Sequence, residues 1–495
     1  MFKKILIANR GEIGVRVINT CREMGITSVA VYSDADRHAL HVLKADQAVR
    51  LGGPPAAESY LNIDRIIDAA KQTGAEAVHP GYGFLSENAE FAARCLREGL
   101  VFIGPSADTI RNLGDKITAR KIMIENNVPV VPGTFAAETD PEVLGKEADR
   151  IGYPVLIKAT AGGGGKGMRI VSAPGDFRDA CVSASREAAA AFGNGNVYLE
   201  KFLARPRHIE FQILADTHGN IIHLHERECS VQRRHQKIIE ETPSIALGDD
   251  LRKRMAAAAV AVAAASGYVN AGTVEFLLDR DGGFYFLEVN TRLQVEHAVT
   301  EMVTGIDIVR QQIEIACGNP LPFRQEDIRP RGHAIECRIY AEDAEKDFSP
   351  SPGTIRFLKE PSGPGIRHDC GIYAGFTVPM EYDPILAKLI THSENRKECI
   401  SRMIEALRDY ALLGIKHSIP FLIDVLRSDA FADGDLCTDF IELNFSEWKP
   451  TRERINEAFI AFLADDISGE RETAASTFSD DSRSSPWRTL GSWRL

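Results

Sequence analysis

Residues 272–297 of the chain read GTVEFLLDRDGGFYFLEVNTRLQVEH. Residues 272–278 and 284–289 are rich in β-branched and aromatic side chains and are predicted to be strands. Asp279-Arg280-Asp281-Gly282-Gly283 between them is turn chemistry, so the pair is predicted to form an antiparallel hairpin. If residues 280–283 form the loop, Asp279 faces Phe284 and Glu275 falls directly opposite Glu288. Residues directly opposed in this way share a face, with Cβ atoms about 4.5–5.5 Å apart. Two carboxylates at that spacing repel each other unless a cation lies between them or one is protonated. Period-two alternation places Asn290 and Arg292 on the face of Glu288. Two carboxylates and an amide oxygen are the hard ligands Mg²⁺ prefers, with phosphate oxygens completing its shell. The expectation depends on register, because a one-residue slip separates the pair. An exposed strand face with its charges in solvent is the alternative.

Upstream lies Thr160-Ala161-Gly162-Gly163-Gly164-Gly165-Lys166-Gly167, flanked by strand-like residues 155–159 and 168–171. Consecutive glycines let backbone N–H groups converge on phosphate oxygens without side-chain obstruction. This is not a Walker loop, since Lys166 precedes Gly167 rather than Ser or Thr, and a strand rather than a helix is expected to follow. A flap that closes over a nucleotide fits the pattern, and a plain flexible loop is the alternative. Lys116 and Lys158 are candidate phosphate ligands, although either alone is more often just a surface lysine. In the polar run 225–241, Arg233, Arg234, His235 and Lys237 cluster; a solvated loop is one reading and a small-anion site the other.

The first hundred residues alternate short apolar strands (5–8, 29–32, 77–78, 102–104) with helical stretches, which predicts a doubly wound parallel sheet. The first turn, with Gly11 and Gly14, lacks dinucleotide-binding spacing. From about residue 113 the pattern becomes α+β, with a helix over 177–192 and strands near 197–200 and 208–214. A third unit of short strands ends in helices over 398–412 and 418–426. An amphipathic helix is expected after Trp448, with Ile455, Phe459, Phe462 and Leu463 on one face. A polar linker follows over 464–485.

The net charge of -12 argues against bulk attraction to nucleic acid or anionic membrane, so an anionic substrate needs a local basic pocket. Nine scattered cysteines without metal spacing read as reduced thiols, and no apolar run reaches membrane-spanning length; a cytoplasmic enzyme is expected.

These segments together resemble the biotin carboxylase family of ATP-grasp enzymes. The strings that carry the resemblance are IANRGEI (7–13), HPGYGFLSEN (79–88), GGGGKGMR (162–169), RHIEFQIL (207–214), QRRHQK (232–237), NTRLQVEH (290–297), HAIECRIYAED (333–343) and SPSPG (349–353). The resemblance covers nearly all of residues 1–447. It implies an N-terminal domain over 1–113 and an ATP-grasp domain over 114–330 with a lid at about 131–203. A C-terminal domain over 331–447 and a helix, linker and aromatic tail over 448–495 complete the expected organisation.

By resemblance, Lys116, Lys158, Gly163, Gly164, Gly165, Glu200, Lys201, Leu203, His208, Gln232, His235 and Leu277 are expected at ATP. Glu275, Glu288 and Asn290 are expected to hold Mg²⁺ (or Mn²⁺), in agreement with the hairpin argument. Lys237, Arg292, Gln294 and Val295 are expected at bicarbonate, with Glu296 as general base. Arg338 is expected to stabilise the biotin ureido oxygen, and Tyr82 to contact biotin. The implied activity is that of a ligase: carboxylation of biotin through carboxyphosphate. Ala298 stands where many relatives have proline, a difference expected to touch the loop rather than the chemistry.

The ending SPWRTLGSWRL (485–495) is similar to the linker that precedes the next domain in acyl-CoA carboxylase α chains, and the sequence contains no A-M-K-M biotinyl-lysine motif. The expected partners are therefore a separate biotin carboxyl carrier protein and a carboxyltransferase, with the chain itself a homodimer. Trp487 and Trp493 are candidates for a carrier-docking peptide. A pyruvate-type carboxylase, another ATP-grasp ligase such as a carbamoyl-phosphate-forming enzyme, and a non-catalytic scaffold are the alternatives.

Overall fold

Five parallel strands, β1 (Lys4–Ile7), β2 (Thr27–Ser33), β3 (Gln47–Gly52), β4 (Ala77–His79) and β5 (Val101–Phe102), form a sheet in the order β3-β2-β1-β4-β5. This computed structural model of the chain describes residues 1–134, 138–160 and 168–450. Helices cover the sheet, so β1 needs a continuous apolar run, and Ile5, Leu6 and Ile7 are all buried. The sequence reading missed β3, because QAVRLG is an edge strand whose first four residues stay largely open to solvent. The helix Ile63–Thr73 starts where Asn62 accepts the N–H of Arg65 and stops at Gly74 in the left-handed region.

Behind β2, Arg10 grips buried Asp36 through Nε to Oδ2 (2.6 Å) and Nη2 to Oδ1 (2.8 Å), while the Tyr60 hydroxyl donates to Oδ2 (2.6 Å). Burial pushes the Asp36 carboxyl up, but the Arg10 bonds and charge outweigh it and hold the group below the usual range. Stability from this site is present above the unfolded value of about 3.9 and is lost as pH falls through the lower folded value. Asp36→Asn is therefore expected to be about 1–3 kcal/mol less stable at neutral pH. The gap should close in acid, as followed by melting both proteins across that range.

A three-stranded antiparallel unit contains β6 (Val155–Ala159), β7 (Arg169–Val171) and β8 (Val197–Lys201), in the order β7-β6-β8. As expected, β6 and β7 pair antiparallel on either side of the glycine run. The run itself, with Gly163, Gly164 and Gly165, lies outside the described residues, as do the helix and tail expected over 451–495. The helix Phe177–Phe192 packs beneath this unit, burying Phe177, Cys181 and Ala184 against Ile157 and Leu199.

The largest sheet has eight antiparallel strands. They are β9 (Arg207–Ala215), β10 (Ile221–Arg233), β11 (Gln236–Thr242), β12 (Asn270–Leu278), β13 (Phe284–Asn290), β14 (His333–Tyr340), β15 (Ile366–Cys370) and β16 (Ile385–Ser393). Their order is β13-β12-β9-β10-β11-β14-β16-β15, so the sheet runs without interruption past residue 330. One face packs on the helix Asp249–Ala265 through Ile209, Phe211, Val274, Phe276 and Phe286. On the other, β9 presents His208, Glu210 and Gln212, which are buried polar groups rather than solvent-facing ones. Among the described residues, no helix is long and apolar enough to cross a membrane.

The polar run 225–241 is not a loop. It forms most of β10 and β11, joined through Arg234 (φ 49°) and His235 (φ 66°), the two positive φ values of a tight type I′ hairpin turn. The cation cluster is dispersed by this pairing. Arg233 turns to Glu342 (3.3 Å) and stacks over Phe348, and Arg234 pairs with Asp347 (2.9 Å), which leaves Lys237 facing the sheet centre.

Candidate active site

The β12–β13 hairpin pairs Glu275 with Glu288, as the sequence predicts, but by a different route. The connection has five residues, not four, so Leu278 pairs with Phe284 and Phe276 with Phe286. A four-residue loop would turn Phe284 and Phe286 away from the core, where both pack edge-on against Phe276 (5.6 and 6.5 Å between ring centres). A β-bulge between Glu275 and Phe276 then absorbs one residue of β13 and returns Glu288 to the face of Glu275. The bulge reconciles an aromatic core face with a carboxylate site face.

The register continues across the sheet. Glu275 pairs with Glu210 on β9, which pairs with Arg227 on β10, so Glu288, Glu275, Glu210 and Arg227 form one transverse row. Neighbouring strands are about 4.8 Å apart, and three carboxylates so spaced need cations. Arg227, fully buried, bonds Glu210 Oε1 and also Gln212 and Thr300. Lys237 Nζ reaches Glu210 Oε2 (2.6 Å), Glu275 Oε1 (2.8 Å) and Glu296 Oε1 (2.7 Å). Arg338 donates from Nε to Glu240 (2.6 Å) and from Nη2 to Glu296 Oε2 (2.9 Å).

A cavity of about 1070 Å³ opens over this row. Its lining includes Lys158, Glu200, Lys201, Leu203, His208, Gln232, His235 and Leu277. The same lining includes Lys237, Arg292, Gln294, Val295 and Arg338, together with Glu275, Glu288 and Asn290. Lys158 Nζ bonds Glu200 Oε2 (2.8 Å), whose other oxygen accepts from Arg120 (2.7 Å). Lys201 is fastened to the carbonyls of Gly152 (2.8 Å) and Tyr153 (3.0 Å). Arg292 bonds Asn290 Oδ1 (2.8 Å), Gln294 Oε1 (2.9 Å) and Glu87 (3.0 Å).

Three expected residues do not line this wall: Glu296 is fully buried behind it, held by Lys237 and Arg338, and Lys116 and Tyr82 stand apart. Lys116 lines a smaller adjoining cavity of about 250 Å³ that shares Glu288 and Asn290 with the main one. Tyr82 does not line the main cavity; its hydroxyl donates to Glu12.

Charge explains the protonation states. Burial alone would raise Glu296, but Lys237, Arg338 and Arg227 hold it well below the carboxylate range. Glu275 is likewise held low against burial by Lys237 and His208, whose Nε2 lies 2.9 Å away. Glu288 is open to cavity water yet ringed by protein; those enclosed surroundings, and then the Glu275 charge, push it up. A divalent cation against Glu275, Glu288 and the Asn290 amide oxygen would relieve this repulsion; it would take Asn290 Oδ1 from Arg292 and displace the Asn290 bond to Glu275 Oε1, and with that exchange the donor set fits Mg²⁺. His208, Glu210 and Glu275 also converge within 4.8 Å, but both Glu210 oxygens are already taken by Arg227 and Lys237.

Several supporting groups escaped the sequence reading. Glu210, Glu240, Glu87 and Lys388 touch site residues, and Arg227 acts behind them by holding Glu210. A signal for some was present in RHIEFQIL, where His208, Glu210 and Gln212 alternate with core Ile209, Phe211 and Ile213. HAIECRIY repeats the pattern, with Glu336 and Arg338 set between Ile335, Cys337 and Ile339.

Three family models match in succession: "Biotin carboxylase, N-terminal domain" over residues 1–110, "Carbamoyl-phosphate synthase L chain, ATP binding domain" over 115–324, and "Biotin carboxylase C-terminal domain" over 336–443. A pyruvate carboxylase subunit of Methanothermobacter thermautotrophicus is 53% identical over 442 residues, 89% of this chain and 90% of the relative. The mitochondrial methylcrotonoyl-CoA carboxylase α subunit of Dictyostelium discoideum is 46% identical over 493 residues, 99% of this chain and 70% of the relative. The crystal structure of a biotin carboxylase–β,γ-ATP complex from Campylobacter jejuni superposes with a TM-score of 0.87 at 46% identity, covering 90% of this chain and 99% of that one. The three models together span the chain from β1 to residue 443, and the chain belongs to the biotin carboxylase family.

Proposed function

We propose that the chain carboxylates biotin presented on a carrier domain, using MgATP and bicarbonate, within an acyl-CoA carboxylase. The observation that carries the reading is Glu296. It is fully buried and gripped by Lys237 and Arg338, both of which line a cavity large enough for a nucleotide. Cations around a buried carboxylate make a local anion pocket in a chain whose net charge is -12.

In this reading Lys158, Lys201, His208, Gln232 and His235 position ATP, with Leu203 and Leu277 against its base, and Lys116 serves the phosphates. Lys237, Arg292, Gln294 and the Val295 backbone hold bicarbonate. As it stands, Glu296 is a weak base because two cations grip it. An anion that takes over Lys237 and Arg292 loosens that grip, and Glu296 then accepts the bicarbonate proton. The bicarbonate oxygen attacks the terminal phosphorus, forming an O–P bond as ADP leaves, and gives carboxyphosphate. Bound Mg²⁺ would neutralise charge on the transferring phosphoryl group. Carboxyphosphate divides into CO₂ and phosphate, the phosphate takes the ureido N–H proton, and that nitrogen attacks CO₂. Arg338, freed from Glu296, stabilises the ureido oxygen by a charge-assisted hydrogen bond.

The acyl-CoA assignment is supported by the tail. The methylcrotonoyl-CoA carboxylase relative aligns over 493 residues, through the segment that resembles an acyl-CoA carboxylase linker. The pyruvate carboxylase relative, at 53% identity, favours the second reading, a pyruvate-type carboxylase. The partners in either case are a biotin carrier and a carboxyltransferase, with the chain as a homodimer. The chemistry is tested with oxygen-labelled bicarbonate: label should appear in the released phosphate. Unlabelled phosphate would exclude carboxyphosphate. Proteins that co-purify with the chain decide the acceptor, and a pyruvate-binding carboxyltransferase among them would overturn the acyl-CoA assignment.

A further inference from the structure

Lys388, at the centre of β16, is fully buried and has no counterpart in the roles assigned above. Its Nζ donates to the carbonyl of Val295 at 2.7 Å. That carbonyl belongs to the peptide unit joining Val295 to Glu296, in the segment that links β13 to the helix His297–Thr304. Arg338 is the cross-strand partner of Lys388 in the β14–β16 register. Two neighbouring cations therefore hold one dipeptide: Arg338 takes the Glu296 carboxylate (2.9 Å) and Lys388 the carbonyl immediately before it (2.7 Å).

Like charges side by side on adjacent strands repel, so this arrangement needs counter-charges. Glu240 and Glu296 serve Arg338. Lys388 has Glu12 at 3.4 Å and Asp369 at 3.8 Å, and Asp369 is itself fixed by both donors of Arg367 (2.9 and 2.8 Å). Glu12 comes from the first helix and can approach because Gly371, just after β15, has no side chain. A Cβ there would sit 2.6 Å from the Glu12 backbone nitrogen. Two separate segments, the first helix and β15 with the turn that follows it, thus converge to keep one ammonium on one carbonyl.

We propose that Lys388 is a positioning residue: it fixes the 295–296 peptide so that Glu296 meets Lys237, Arg338 and the bicarbonate at the correct angle. The inference rests on the bicarbonate chemistry proposed above. A backbone carbonyl is a weak partner for a buried cation that already has carboxylates near it. Its use here makes sense if the orientation of that peptide is what matters, because Glu296 hangs from it.

The test uses the full chain. Lys388→Met removes the bond but keeps an unbranched side chain of similar length. Turnover in bicarbonate-dependent ADP release is expected to fall about 100-fold, as for a misplaced catalytic group. The dissociation constant for MgATP should stay within about twofold, which a general loss of structure would not allow. Lys388→Arg, which keeps the charge and so the balance with Asp369, decides the matter if the methionine variant does not fold. Its longer guanidinium must push the peptide aside, so it should show the same split, with turnover down and nucleotide affinity kept. Wild-type turnover in either folded variant would overturn the inference, and so would parallel losses of turnover and MgATP affinity in the arginine variant. A wild-type chain without bicarbonate-dependent ADP release would instead overturn the functional reading, and this inference with it.

Discussion

Glu296→Gln is expected to leave the fold and MgATP binding intact while bicarbonate-dependent ADP release falls by about 10²–10³, the range for a lost general base. The substitution conserves shape and removes charge from a group with no solvent exposure. Lys237 keeps Glu210 and Glu275, and Arg338 keeps Glu240, so neither cation is stranded. The side-chain partners of Glu296 are Lys237, Arg338 and Cys229, none of them expected at the nucleotide. What is lost is the only one of these carboxylates shared by Lys237 and Arg338. Steady-state kinetics with a nucleotide-binding control distinguish this from unfolding, and wild-type turnover would refute the assignment.

Lys237→Met should have the largest effect on stability. Its ammonium serves three carboxylates at 2.6–2.8 Å, and all three acids are buried. Breaking a buried ionic cluster by removing one partner costs about 3–5 kcal/mol, because the remaining charges are left uncompensated. In the wild type, Glu275 and Glu296 are held below the usual carboxylate range. Their contribution is present above the unfolded value of about 4.3 and lost as pH falls through the folded values. Without Lys237 each buried acid keeps only its second partner, Arg227 for Glu210, His208 for Glu275 and Arg338 for Glu296, so the folded values rise and the acids destabilise the chain where they must ionise. The deficit of the variant should therefore be greatest near neutral pH and narrow as pH falls toward about 5. Urea midpoints of both proteins at the two pH values check this, and a deficit that does not change with pH would contradict it.

What could be read in advance was whatever has a short period. The carboxylate pair of the hairpin followed from alternation, although the assumed loop was one residue too short. The result survived because the bulge compensates, and the bulge exists because Phe284 and Phe286 must reach the core while Glu288 must not. Alternation in RHIEFQIL and HAIECRIY carried as much information about Glu210 and Arg338, since a buried polar face alternates as cleanly as a wet one. The run 225–241 misled because abundant charge suggests solvent, whereas here Arg227, Glu228 and Glu240 neutralise one another or their neighbours inside a sheet. Long-range partners carried no local signal at all. Glu87 meets Arg292 across 205 residues, and Lys388 meets Val295 across 93. Such pairs depend on strand order, and nothing within a strand states which strand lies beside it.

If this site activates bicarbonate with ATP and delivers the carboxyl group to biotin, nucleotide cleavage must answer to both substrates. The decisive measurement is ADP release by the purified chain with MgATP, varying bicarbonate and free biotin independently. Release is expected to require bicarbonate and to rise with biotin, with carboxybiotin formed in step. ADP release indifferent to both would refute the assignment.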